Sequence, residues 1–135
     1  EALTEVRLQP FRRSALESGK GDPQLHTALL QAALREISGM QDHFMMLGRK
    51  SASEKLASFL CVLAERVGTK LGAYVSVTLP MSRSDIADFL GLTTETVSRT
   101  FTQLRKSKII AIDNIYTIVI QRPDALLDLS LGDCD

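Results

Sequence analysis

Residues 81–108, MSRSDIADFLGLTTETVSRTFTQLRKSK, constrain the fold more than any other part of the chain. Ser82 has the side chain of a helix N-cap, and Asp85 three residues later favours the positive end of the same helix. Gly91 supplies the positive φ that a tight turn after this helix requires. Thr93 is again a cap residue and predicts the start of a second helix. Two short helices separated by one glycine predict a helix-turn-helix.

The apolar residues of both predicted helices recur with the spacing of a buried helical face. We expect a buried face on each helix, formed by Ile86, Ala87, Phe89 and Leu90 in the first and by Val97, Phe101 and Leu104 in the second. Ala87 is small enough for the point where the two helices cross. The opposite face of the second helix, over residues 93–106, is left free for a ligand.

That opposite face carries Glu95, Ser98, Arg99, Thr102 and Lys106. Arginine offers a planar fork to guanine O6 and N7 and glutamate accepts from cytosine N4, so Glu95 and Arg99 suit a G·C pair of double-stranded DNA. The alternative is an exposed helical ion pair, which contributes about 0.2–0.5 kcal/mol. The stretch from Val97 to Lys108 contains four basic residues and no acidic one. This local excess of positive charge favours DNA, although the whole chain is neutral.

The run RSDIADFLGLTTETVSRTFTQL resembles the CRP/FNR family of dimeric bacterial transcription regulators, and ETVSR with the preceding LG is most similar to the FNR and FixK-like branch. The resemblance covers nearly the whole chain. It implies base contacts by the Glu-x-x-Ser-Arg motif and the residue before it, namely Glu95, Ser98, Arg99 and Thr94. It also implies phosphate contacts from the start of the first helix and the turn, namely Ser82, Arg83, Thr93 and Thr96. Thr94 has a short side chain at a position that is arginine in the CRP-like branch, and this argues against CRP-type specificity. The implied target is similar to TTGAT, four spacer bases, ATCAA.

A long helix is predicted over residues 22–47, because Asp22 and Pro23 form a strong helix start. Its apolar residues alternate spacings of three and four, the period of 3.5 that a coiled-coil seam needs. They are Leu30, Ala33, Ile37, Met40, Phe44 and Leu47. Fewer than three heptads leave open a single helix packed on its own domain. The resemblance identifies the segment as a dimerisation helix and implies a homodimer, which we expect to be constitutive because no acidic residue interrupts the seam.

Residues 1–21 precede this helix and contain two weaker patterns of secondary structure. Residues 2–9 alternate like a half-buried strand that is too short to stand alone, and residues 10–17 suit a short helix. The resemblance implies that this segment is the end of an N-terminal sensor β-barrel, followed by a connecting helix.

Residues 48–135 are predicted to form a winged helix-turn-helix domain. Ser51 and Glu54 predict a capping box at the start of a helix that ends at Gly68. A loop is predicted over residues 69–72 and a strand over residues 73–79. Two further strands, 109–112 and 115–121, flank a turn at Asp113 and Asn114 and form the wing. A last amphipathic turn covers 124–131. The predicted fold class is therefore mainly α with small β-hairpins.

Several function classes are disfavoured by the residues. No nucleophile is paired with a base and no glycine-rich phosphate loop is present, so we do not expect an enzyme. The two cysteines form no C-x-x-C pair, from which we expect neither a metal site nor a cofactor. No apolar run approaches the roughly 18 residues of a membrane span, and no leader opens the chain, so we expect a cytoplasmic protein without membrane contact.

Two further expectations concern partners. The resemblance implies contact with RNA polymerase, although no residue motif here carries it. The sequence itself does not distinguish activation from repression, and an activator is our expectation. The alternative function is a winged-helix protein-interaction module without DNA binding. Such modules lose their base-reading residues, and Glu95, Ser98 and Arg99 argue against that alternative.

Overall fold

The computed structural model describes residues 4–10, 12–14 and 22–132, without the side chains of 42–47 and 49. The chain divides into two compact units, Glu1–Met45 and Met46–Asp135. Most of the described residues are helical, and the strands form one small antiparallel sheet in the second unit. The predicted fold class is confirmed.

Helix α1 (Pro23–Arg49) is the main element of the first unit and ends just inside the second. Its start is the predicted one, since the Asp22 carboxylate accepts a hydrogen bond of 2.9 Å from the N–H of Gln24. The helix ends two residues beyond the predicted Leu47. Four of the predicted seam residues are solvent-exposed in the single chain, namely Leu30, Ala33, Ile37 and Met40. The side chains of Phe44 and Leu47 lie outside the description.

The strand predicted over residues 2–9 is wrong for the residues that can be checked. Residues 5–10 have no regular secondary structure. A strand is stable only when it pairs with others, and no described residue offers this segment a partner. Half of the helix predicted over 10–17 falls outside the described residues, and residues 13 and 14 are helical.

The second unit packs four helices against the sheet. The helices are α2 (Ala52–Val67), α3 (Arg83–Leu90), α4 (Thr94–Lys106) and α5 (Pro123–Leu131). The strands are β1 (Thr69–Leu71), β2 (Tyr74–Thr78), β3 (Ile110–Asn114) and β4 (Thr117–Ile120), in the sheet order β1-β2-β4-β3. Fully buried residues of all these helices and of β2, β3 and β4 form one core, which includes Leu60, Val77, Leu90, Phe101 and Ile118. This core fixes α3 and α4 on the rest of the unit.

The start of α2 is fixed by two sets of polar contacts. The predicted capping box is confirmed, because the N–H of Glu54 donates to Ser51 Oγ at 3.3 Å and the N–H of Ser51 donates to Glu54 Oε2 at 3.0 Å. Lys50 Nζ donates to Ser58 Oγ at 2.8 Å and to the carbonyl of Ser130 on α5 at 2.6 Å. The short link between α1 and α2 is therefore tied to the last helix. That helix was predicted only as an amphipathic turn and is a full nine residues long.

Two details of the strands differ from the prediction. Residues 69–71 are not a loop but strand β1, which pairs with β2 in a hairpin whose turn contains Gly72 at φ +64°. The wing turn lies at Ile115 and Tyr116 rather than at Asp113 and Asn114. Asn114 Oδ1 accepts the N–H of Tyr116 at 2.9 Å, and the β3–β4 register is irregular between Ile112 and Asn114. The side-chain turn at Asn114 therefore moves the tip two residues along the chain.

The prediction that Phe89 belongs to the buried face of the first helix is wrong. Phe89 is 49% exposed, whereas Ile86, Ala87 and Leu90 are buried. At 3.6 residues per turn, Phe89 points about 100° away from the centre of that buried stripe. Its ring packs instead on the ring of Phe59, at a centroid distance of 5.7 Å and an angle of 53°.

Candidate nucleic-acid interface

The first helix of the helix-turn-helix begins and ends where the sequence predicts. The Asp85 carboxylate accepts the N–H of Ser82 at 2.8 Å and its hydroxyl at 2.7 Å, and the N–H of Asp85 donates to Ser82 Oγ at 3.2 Å. These hydrogen bonds lower the pKa of Asp85 because they stabilise its charged form. Gly91 ends α3 in the left-handed region, at φ 60° and ψ 42°. The turn therefore depends on the one residue type that adopts this conformation without strain.

Thr93 caps the second helix, α4. Its Oγ1 accepts the N–H of Thr96 at 3.1 Å and lies 2.8 Å from Thr96 Oγ1. Behind this cap, Val97, Phe101 and Leu104 are buried as predicted. The two threonine hydroxyls form one polar group at the N-terminus of α4, where N–H groups not bonded within the helix favour an anion.

The outer face of α4 is open to solvent. Arg99 and Glu95 have side chains that are 71% and 86% exposed, and Arg99 Nη2 lies 3.6 Å from Glu95 Oε1. Thr94 and Ser98 are exposed beside them. A pair this long and this exposed holds its members weakly, so both head groups are available to a partner.

Basic residues continue along the same helix and past its end. Arg105 and Lys106 in the last turn, and Lys108 just after it, are exposed. Thr102 is only partly exposed, and its hydroxyl donates to the carbonyl of Ser98 at 3.0 Å. The exposed face of α4 is therefore positive towards its C-terminal end.

Arg83 is the one predicted phosphate-contact residue with an unexpected environment. Its Cζ lies 3.4 Å from the centroid of the Phe101 ring. Its Nη1 is buried and has no hydrogen-bond partner among the described residues. Burial lowers the pKa of Arg83. Spacing along the chain gives no signal for this pair, because the two residues belong to different helices.

The wing tip carries two large exposed side chains. Ile115 is 72% exposed and Tyr116 is 55% exposed. The Tyr116 carbonyl accepts the N–H of Leu79 at 2.6 Å, which ties the wing to the end of β2. The predicted tip residue, Asn114, is exposed but serves as the hydrogen-bond acceptor that shapes the turn.

The described residues offer no cluster of three or more His, Cys, Asp or Glu side chains that could hold a metal ion. Cys61 is half-buried, and burial raises the pKa of its thiol. This makes it a poor nucleophile at neutral pH. Among the residues that the structure describes, every helix is too short or too polar to cross a membrane.

Comparison with known proteins identifies the family. A model of the Crp-like helix-turn-helix domain matches residues 54–129, which is more than half of the chain. The chain belongs to the CRP/FNR family of transcription regulators. The match includes both helices of the helix-turn-helix and the wing.

The relatives place the chain in the FixK-like branch of this family, as the Glu-x-x-Ser-Arg motif predicts. It is 45% identical over 128 residues to the nitrogen fixation regulation protein FixK of Azorhizobium caulinodans, an alignment that covers 93% of this chain and 52% of that protein. It is 46% identical over 118 residues to the transcriptional activatory protein AadR of Rhodopseudomonas palustris, which covers 86% of this chain and 49% of AadR.

A solved structure supports the same assignment. The structure of FixK2 from Bradyrhizobium japonicum matches with a TM-score of 0.76 and 38% identity, over 87% of this chain and 58% of that one. The chain therefore spans about half the length of the curated relatives that it matches. These family members are named as regulators and not as enzymes.

Proposed function

We propose that this chain binds double-stranded DNA as a homodimer and regulates transcription by reading an inverted repeat similar to TTGAT, four spacer bases, ATCAA. Helix α4 serves as the recognition helix. The observation that carries the proposal is the Glu95–Arg99 pair, which is exposed on the outer face of a rigidly packed helix.

The geometry of this pair suits a G·C base pair. The two residues lie one helical turn apart on the same exposed face of α4, so both head groups can meet the edge of one base pair. Arg99 donates two hydrogen bonds to guanine O6 and N7, and Glu95 accepts one from cytosine N4. Ser98 and Thr94 are exposed beside them, and the short side chain of Thr94 lets the N-terminus of α4 approach the neighbouring bases.

The phosphate contacts of this proposal come from two helix starts. Ser82 and Arg83 begin α3, and Thr93 and Thr96 begin α4. Helix N-termini attract phosphate because their first N–H groups have no partner within the helix. Contacts of this kind fix the register of the protein on the duplex and carry no sequence information themselves.

The proposed dimer forms along α1. Leu30, Ile37 and Met40 are each at least 52% exposed although they are large and apolar. Burying each such side chain against a second copy stabilises the dimer by up to about 1.5–3 kcal/mol. Two-fold pairing presents two recognition helices to half-sites about 34–36 Å apart, which is why the operator is an inverted repeat.

We also propose that the bound dimer contacts RNA polymerase, acts as an activator and works in the cytoplasm. One relative, AadR, is named as a transcriptional activatory protein. The β1–β2 hairpin is the surface that we assign to the polymerase, and Leu71 and Tyr74 at its turn are exposed. We expect the dimer, RNA polymerase and promoter DNA to form a ternary complex. This complex should be lost when Leu71 and Tyr74 are changed to serine.

Fluorescence anisotropy with labelled duplexes tests DNA binding. The chain should bind the palindrome more tightly than a duplex with scrambled half-sites, and inserting bases into the spacer should remove the advantage. The logarithm of affinity should fall with the logarithm of salt concentration, with a slope of about −0.9 for each phosphate contacted. Absence of binding to every duplex at low salt would favour the protein-interaction module instead.

A further inference from the structure

The contact between Arg83 and Phe101 joins the start of α3 to the middle of α4. The guanidinium carbon lies 3.4 Å above the centre of the ring, the distance of two stacked planar groups. Phe101 is only 2% exposed, so the surrounding core fixes its ring. The guanidinium therefore has one face against a rigid aromatic surface, and Arg83 has fewer rotamers than an arginine on an open helix.

The charge of Arg83 is not neutralised within the described part of the chain. Its Nη1 is buried without a hydrogen-bond partner. The acidic residue of the same helix turn, Asp85, has its carboxylate bound by the N–H and hydroxyl of Ser82. Arg83 is thus a partly desolvated cation without an ion-pair partner among the described residues, and a nearby anion would stabilise its charge.

We propose that Phe101 is a positioning residue for DNA binding, which acts by holding the Arg83 guanidinium ready for a backbone phosphate. This inference rests on the proposed function, in which Arg83 contacts phosphate. The stack restricts the arginine before DNA arrives, so less side-chain entropy is lost on binding. Because Phe101 belongs to the recognition helix, the phosphate contact is also fixed relative to Glu95 and Arg99.

The test compares Arg83→Ala, Phe101→Leu and the double variant by anisotropy on the palindrome and on scrambled DNA. Leucine keeps an apolar side chain in the core and removes the aromatic face. We expect both single variants to lose affinity equally on the two duplexes. The double variant should bind no worse than Arg83→Ala, because the ring acts only through the arginine.

The salt dependence distinguishes positioning from a merely structural role. Loss of one phosphate contact in each protomer should make the slope of log affinity against log salt concentration less steep by about 1.8. Between about 50 and 200 mM salt, the wild-type affinity should therefore fall about 12-fold more than that of either single variant. Phe89→Leu is the matched control, since it removes another ring of the same helix pair, and it should keep the wild-type slope. A Phe101→Leu variant that only melts earlier and keeps the wild-type slope contradicts the proposal.

Arg83→Lys tests the same point without changing the core. Lysine keeps the charge but has no planar group to stack on Phe101. We expect it to bind nearly as weakly as Arg83→Ala, and wild-type affinity for Arg83→Lys would overturn the inference. A further loss from Phe101→Leu in the Arg83→Ala background would also overturn it. Failure of the wild-type chain to bind any DNA is a different result, which refutes the proposed function itself.

Discussion

Replacing Arg99 with alanine should separate DNA reading from folding. The side chain is 71% exposed, and its ion pair with Glu95 is 3.6 Å long. An exposed pair of this spacing contributes no more than about 0.5 kcal/mol to stability. The urea-unfolding free energy of Arg99→Ala should therefore stay within about that amount of the wild-type value.

The effect of the same substitution on the palindrome should be far larger. A bidentate contact to guanine discriminates by about 1–3 kcal/mol, and a dimer loses two such contacts, which gives about 2–6 kcal/mol in total. At 1.4 kcal/mol for each factor of ten, the affinity should fall by at least about 30-fold. On scrambled DNA the loss should be much smaller, because only a nonspecific charge is removed there.

The matched control for this experiment is Arg105→Ala. Arg105 is an exposed arginine of the same helix, in its last turn and away from the proposed base contacts. The Arg105→Ala variant should lose the same small amount of affinity for palindromic and for scrambled DNA. Equal losses on both duplexes for Arg99→Ala, matching those of Arg105→Ala, would refute the assignment of Arg99 to a base.

Three other predictions follow from the described contacts. Met40→Asp places a charge on the exposed seam of α1 and should halve the mass measured by light scattering at concentrations where the wild type is a dimer; an unchanged mass would count against the seam. Lys50→Met removes both hydrogen bonds of the ammonium and leaves the carbonyl of Ser130 without that donor. It should lower the unfolding free energy by about 1–3 kcal/mol. A urea midpoint equal to that of the wild type would show that Lys50 does not hold the link between α1 and α2. Asp85 has a folded-state pKa below its unfolded value, so its stabilising effect is present above the unfolded pKa and is lost as pH falls through the folded one. The stability difference between wild type and Asp85→Asn should therefore shrink between about pH 5 and pH 3, and a difference independent of pH would contradict the cap.

The helix-turn-helix could be predicted from sequence because local chemistry determines its boundaries. Ser82 and Thr93 cap their helices through side-chain contacts within three residues, and Gly91 supplies the left-handed conformation between them. These interactions do not depend on distant parts of the chain. The outward direction of Glu95 and Arg99 then follows from the helical period.

The errors arose where contacts between distant residues decide the structure. Strand β1 has only three residues and exists because it pairs with β2. Phe89 points away from the buried stripe of its own helix, and its ring packs on Phe59 of another helix. The stack of Arg83 on Phe101 likewise has no local signal, since it depends on how α3 crosses α4.

Selection of bound sequences from a random pool of double-stranded DNA tests the central claim most directly. The chain should enrich a two-fold symmetric site with TTGAT and ATCAA half-sites four bases apart, and Arg99→Ala should lose the preference at one G·C pair in each half. Enrichment of no sequence, or of a site without two-fold symmetry, would contradict the account.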